Sequence, residues 1–232
     1  MAKTFTKIGK EITIAVKQGG PDVVGNSRLR ALMAEARSEN MPKDNIEKAI
    51  KRALEKNQGD FKEVVFEGYG PHGIAYLVET ATDNNTRTVA NVRSYFTKCG
   101  GSLGTSGSVS FMFDHKCVFR IKYQEGMDLD ELQLALCECD DDPEVFIEEQ
   151  EDKDENITKN VVIYGAYESY GAIQKYIEDN GYELVSGGFE RIPNVELKDV
   201  TPEQRETLDK LTGLLEDDDD VTNVYSTLKP AE

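Results

Sequence analysis

The sequence predicts an α+β protein: an N-terminal helical domain followed by two ferredoxin-like α+β domains, one inserted in the other. Three observations lead there. Residues 4–58 carry apolar side chains at helical spacing. From residue 61 the pattern changes to short β-branched and aromatic runs separated by amphipathic segments. Between about 115 and 187 these segments follow the order β-α-β-β-α-β of a ferredoxin-like sandwich. A doubly wound sheet is the alternative, and the paired connections of antiparallel type argue against it.

Taken in order, Phe5, Ile8, Ile12 and Val16 mark a first helix that stops at Gly19-Gly20-Pro21. Asn26 caps a second, with Leu29, Leu32, Met33 and Ala36 inward. Pro42 fits the first turn of a third, where its missing N–H costs nothing. Ile46, Ala49, Ile50, Ala53 and Leu54 give that helix its apolar face, and a linker is expected around Asn57-Gln58-Gly59. This helical domain is placed at 1–60.

The split domain is placed at 61–114 and 188–232. Its first part holds strands at 64–66 and 74–78, a helix over 86–98 capped by Asn85 or Thr86, and a strand VSFMF at 109–113. The inserted domain, 115–187, holds a strand 117–123, a helix 129–137 capped by Asp128, and strands 144–149 and 161–164 joined by the acidic turn EDKDEN. A helix 167–180 and a strand 183–186 follow. A strand 189–197, a helix 203–215 capped by Thr201 with Pro202 first, and a strand 221–227 complete the split domain.

Composition narrows the function. No apolar run approaches eighteen residues, so no membrane span is expected, and the N-terminus lacks the apolar core of a secretory signal. Cys99, Cys117, Cys137 and Cys139 lack metal-site spacing and read as reduced thiols of a cytoplasmic protein. The net charge is −17, unevenly spread: residues 1–60 carry +4, 61–113 zero, 114–188 −14 and 189–232 −7. Such a molecule can turn a basic face to a polyanion while its acidic part is repelled.

Little of the sequence reads as catalytic. His72 sits in a Gly-Pro turn and His115 beside Asp114, and no Ser/His/Asp arrangement stands out. The runs at 140–142 and 217–220 lack the spacing of a calcium loop and read as solvated turns. No cofactor or metal is expected.

The stretch Thr82 to Phe113 is the most distinctive. Val89, Val92 and Phe96 form one helical stripe, and Arg87, Asn91, Ser94 and Lys98 lie within about 60° of one another nearly opposite. Gly100-Gly101 ends the helix. The loop SLGTSGS then offers flexible backbone amides suited to phosphate. It is neither a Walker A sequence nor a G-x-G-x-x-G opening a helix. The competing reading is an ordinary helix with its polar side in water.

FTKIGKEITIAVKQGG, NSRLRALMAEARSENMPKDNIEKAIKRA, the segment from FEGYGPHG to GSVSFMF, and FERIPNVELK together resemble the YebC family over nearly the whole chain. The resemblance implies an N-terminal helical domain and two α+β domains. It also implies a regulator: members are described as probable transcriptional regulators and include the mitochondrial translational activator of cytochrome oxidase, and some are tied to ribosomes stalled on proline-rich sequence. Members usually carry a further basic segment ahead of the FTK motif. Here Met1-Ala2-Lys3-Thr4-Phe5 stands there, so fewer phosphate contacts are expected.

The expectation is therefore a non-enzymatic cytoplasmic regulator that binds DNA or RNA, with the ribosome as a candidate partner. Phosphate contacts are assigned to Lys3, Lys7, Lys10, Arg28, Arg30, Lys43, Lys48, Lys51 and Arg52 of the helices. Arg87, Arg93 and Lys98 join them, with the loop Gly100, Gly101, Ser102, Gly104, Thr105, Ser106, Gly107 and Ser108. Backbone and shape recognition is favoured over base readout. The alternative is a protein–protein adaptor whose acidic domain meets a basic partner; nuclease treatment separates the two.

Overall fold

A computed structural model describes residues 2–55, 60–151 and 157–231. The linker expected around Asn57 and the tip of the EDKDEN turn lie outside them. Three helices open the chain: α1 (Ala2–Gly19), α2 (Ser27–Ser38) and α3 (Lys43–Leu54). Asn26 caps α2 as its sequence suggests: its Oδ1 accepts the Leu29 amide at 3.0 Å. Its Nδ2 also donates to the carbonyls of Ala15 and Gly20, at 2.8 and 2.9 Å. Pro42 stands just ahead of α3 rather than in its first turn. Its carbonyl accepts from the Asn45 and Ile46 amides at 2.9 and 3.4 Å.

The first sheet runs β3 (Ser102–Leu103), β1 (Lys62–Tyr69), β2 (Ala75–Thr82), β8 (Val221–Ser226), with each strand antiparallel to its neighbour. Alternation along β2 sends side chains to opposite faces. Tyr76 and Val78 pack with Val92 and Phe96 of α4 (Asn85–Lys98) and with Leu208, Leu211 and Leu215 of α7 (Pro202–Glu216). Ala75 and Leu77 pack with Val109 and Phe113 on the other side.

The second sheet runs β5 (Glu144–Glu151), β6 (Ile157–Ala166), β4 (Phe113–Lys122), β7 (Leu184–Pro193). Helix α5 (Leu129–Leu136) links β4 to β5, and α6 (Tyr170–Asp179) links β6 to β7. This is the β-α-β-β-α-β order read from the sequence. Phe119, Ile121, Leu132, Leu136, Val161, Ile163, Ile173 and Ile177 form its core, all buried.

The α+β class, the helical N-terminal region and the two sheets are as the sequence predicts, and three assignments change. Residues 110–112 form a 3₁₀ turn, not a strand, and β4 begins at Phe113. Residues 183–186 and 189–197 are not separate strands: 184–193 form one strand, β7, of the second sheet. The first sheet instead takes β1 as a central member and the two-residue β3 at its edge. The apolar run VSFMF misled because Val109 just ahead of the turn and Phe113 just after it are both buried, as strand residues would be.

The chain forms two compact units, residues 1–14, 51–114 and 191–232 in one and 15–50 and 115–190 in the other. Among the described residues no helix is long and apolar enough to cross a membrane.

Candidate nucleic-acid interface

The site is built on α4. Asn84, not Asn85 or Thr86, caps its start, accepting the Arg87 amide at 3.1 Å. At its end Gly100 adopts φ +76°, and the Gly100 and Gly101 amides close on the carbonyls of Thr97 and Phe96 at 3.2 and 2.8 Å. These bonds satisfy the last free carbonyls of the helix. A Cβ on Gly101 would lie 2.5 Å from the Tyr69 carbonyl oxygen, so only glycine passes here.

Beyond Gly101 the loop is tied to β1. The Gly104 amide donates to the Glu67 carbonyl at 2.8 Å. The Glu67 carboxylate, 5% exposed, accepts the amides of Gly107, Val109 and Ser110 at 2.7, 2.8 and 2.8 Å. Burial pushes this carboxyl up, and the amide bonds outweigh it and bring it below its ordinary value. Of the loop amides expected to receive phosphate, that of Gly107 already holds this carboxylate, and those of Gly104 and Ser108 are bonded to the carbonyls of Glu67 and Thr105. The loop turns outward the exposed side chains of Ser102, Thr105 and Ser106.

The first half of the polar stripe of α4, Arg87 and Asn91, faces an acidic turn, while Lys98 at its far end is exposed. The Asp220 carboxylate receives Arg87 at 2.7 Å, Lys10 at 2.8 Å and the Thr88 hydroxyl at 2.9 Å. Asp218 receives the Asn91 amide at 3.1 Å and the Tyr95 hydroxyl at 2.9 Å. Burial first, then this carboxylate, pushes the Tyr95 phenol up to about 12. Burial would raise the Asp220 carboxyl too, but the bonds from Lys10, Arg87 and Thr88 hold it below its ordinary value. Asp218 and Asp220 are 8% and 3% exposed, as Asp140 is 7%, so these three are not the solvated turn residues the sequence suggests. Asp140 accepts the Asp142 and Ala166 amides at 3.0 and 2.8 Å.

The predicted cations divide by what they meet. Lys3 pairs with Asp217 at 2.6 Å, and Lys7 donates to the Glu216 carbonyl at 3.0 Å. Arg52 stacks on Phe61, 4.3 Å from the ring centre, and reaches Asp83 at 4.0 Å. In the other unit Arg30 pairs with Glu178 at 2.5 Å, and Arg28 donates to Gln18 at 3.0 Å. Lys43 lies 3.5 Å from Glu47. Lys48, Lys51, Arg93 and Lys98 are exposed and make no ion pair among the described residues. Arg93 and Lys98 flank the last turns of α4, where the loop begins. Arg87 lies about 16 Å from Lys98 along the axis, so one stripe serves two places.

Sequence reasoning missed Glu67, Asp218 and Asp220. Four consecutive aspartates look alike in sequence, and nothing marks which ones the fold buries. A lone glutamate within VVFEGYG carried a signal only in its position, since a charge amid strand residues needs a partner.

Two family models match the chain, one describing the TACO1/YebC N-terminal domain over residues 1–56 and one the TACO1/YebC second and third domains over residues 61–228. This chain belongs to the TACO1/YebC family. It is 58% identical to a "Probable transcriptional regulatory protein" of Parabacteroides distasonis, over 99% of this chain and 90% of that protein. It is 56% identical to one so named from Bacteroides thetaiotaomicron, over 100% and 91%. A "Conserved Hypothetical Protein Aq1575" from Aquifex aeolicus has a similar crystal structure, with a TM-score of 0.80 at 33% identity, covering 100% of this chain and 91% of that one.

Proposed function

We propose that this protein is a non-enzymatic cytoplasmic regulator of gene expression that binds nucleic acid through its phosphates. The names of its relatives support the regulatory part. The observation that carries the binding part is the C-terminal half of α4: Arg93 and Lys98, exposed and without a carboxylate partner among the described residues, beside a loop of hydroxyl and glycine surface. Exposed cations can release counterions from a phosphate chain, whereas cations already paired with Asp217 or Asp220 must first give up that partner. On this reading Arg93 and Lys98, with Thr105 and Ser106, make first contact. Lys48 and Lys51 present further free charge along α3. The division into domains 1–60, 61–114 with 188–232, and 115–187 belongs to the same proposal, and the family models, which change between residues 56 and 61, support its first boundary.

The test reverses both free charges, Arg93→Glu with Lys98→Glu. Arg87 is the wrong position, because a glutamate there would face buried Asp220 and damage the fold. The double variant should keep its melting temperature, since exposed substitutions cost within about 0.5 kcal/mol. Its affinity for a labelled RNA or DNA oligonucleotide should fall at least about tenfold. Unchanged affinity with the fold intact would remove this face from the interface.

A further inference from the structure

We propose that Phe111 is a stacking platform for an unpaired nucleobase, displayed by the turn that Glu67 organises. The proposal rests on the nucleic-acid reading above and names the part of the ligand this residue takes. Phe111 is 66% exposed, more than any other aromatic side chain among the described residues. Its exposure does not come from a slack loop. The Ser110 amide is held by Glu67 at 2.8 Å, and the Met112 amide by the Val109 carbonyl at 2.9 Å. From the opposite side Asn194 donates its Nδ2 to the Phe111 carbonyl at 3.2 Å and its amide to the Met112 carbonyl at 2.9 Å. Its neighbours Val109, Met112 and Phe113 all pack inward. The turn is therefore fixed on both flanks and leaves one phenyl ring in water, which gives up about 2 kcal/mol of burial.

The surroundings select the ligand. Residues 99–113 contain no charged side chain, in a chain that is 31% charged with a net charge of −17. The Glu67 carboxylate that organises this segment is buried and spends its acceptors on three amides; just past its end, exposed Asp114 shares the Asn194 Nδ2 donor with the Phe111 carbonyl. Thr105 and Ser106 offer a phosphate backbone exposed hydroxyls. An aromatic face takes any base at about 1–3 kcal/mol each, without reading sequence. The stacked base must be unpaired, because a ring on a short turn cannot reach between the paired bases of an A-form helix.

The chain has no tryptophan, so Phe111→Trp places a single indole at the platform. Its fluorescence is followed while single-stranded oligouridine, a fully paired RNA duplex or heparin is added, with binding read in parallel by anisotropy of labelled oligouridine. Oligouridine should quench the indole; the duplex and heparin, which has charge but no bases, should not. Phe111→Ala should melt like the parent and bind oligouridine about tenfold more weakly, with Phe111→Tyr close to the parent. Oligouridine binding without quenching, an unchanged affinity for Phe111→Ala, or equal quenching by heparin each overturns the stacking proposal and leaves the nucleic-acid reading standing. Failure of every variant, and of the parent, to bind oligouridine, duplex or heparin overturns both.

Discussion

Asp220 shows how much one side chain can hold. It joins α1, through Lys10, to the start of α4, through Arg87 and Thr88. Asp220→Ala takes the carboxylate partner from buried Lys10, while half-exposed Arg87 keeps Asp83, and breaking a buried pair costs about 3–5 kcal/mol. The melting temperature at neutral pH should fall accordingly. The pH dependence follows from the lowered carboxyl. A carboxylate held below its unfolded value stabilises the fold above the unfolded pKa of about 4, and that contribution is lost as pH falls through the folded value. Denaturant titrations below pH 4 should show the parent losing stability, with a shallower decline for Asp220→Asn. Glu67 gives a second, local case. Glu67→Gln points an amide N–H at donors and should cost about 2 kcal/mol. Its signature is faster hydrogen exchange at Gly107, Val109 and Ser110, with the β1–β2 amides protected as before. Neither role could be read ahead of the fold, because the partners of Asp220 lie 132 or more residues away in sequence.

At the scale of elements, the readable signals were those with local causes. Asn26 and Gly100 end or begin helices through bonds to residues within five positions, and both were legible. The two helix caps also make a graded prediction. Asn84→Ala removes one bond at an exposed helix start and should cost about 1 kcal/mol. Asn26→Ala also removes the bonds from its buried side chain to the carbonyls of Ala15 and Gly20, so its cost in urea titration should exceed that of Asn84→Ala by about 1–2 kcal/mol. Equal costs would mean that the bond from Asn26 to Ala15 contributes nothing. What sequence could not supply was strand membership. Residues 64–66 and 109–113 both read as short strand-like runs, and only the partner across the sheet tells a central strand from a buried turn.

The whole molecule carries −17, and its acids outnumber its cations in every region after residue 113. Binding to a polyanion must therefore come from a few free cations and should be sensitive to salt. If Arg93 and Lys98 supply two phosphate contacts, log affinity for a single strand should fall with log salt at a slope of about −1.4, a loss of about sevenfold between 50 and 200 mM. The double charge reversal should flatten that slope. A slope unchanged by the reversal would place the contacts on other cations. The family, the fold class and the basic front of the chain were all visible in sequence. The neutralisation of Lys3, Lys10 and Arg87 from within was not, since it depends on a turn more than 130 residues further on.

The segmented make-up of the first unit also sets an order of birth. A nascent chain that has reached residue 193 holds all four strands of the second sheet, but its other sheet still lacks β8. Val92 and Phe96 then have no Leu208, Leu211 or Leu215 to lie against, and Lys10 and Arg87 wait for Asp220. Vectorial synthesis thus completes the second sheet first, and α7 and β8, made afterwards, close a unit whose first helix was made at the outset.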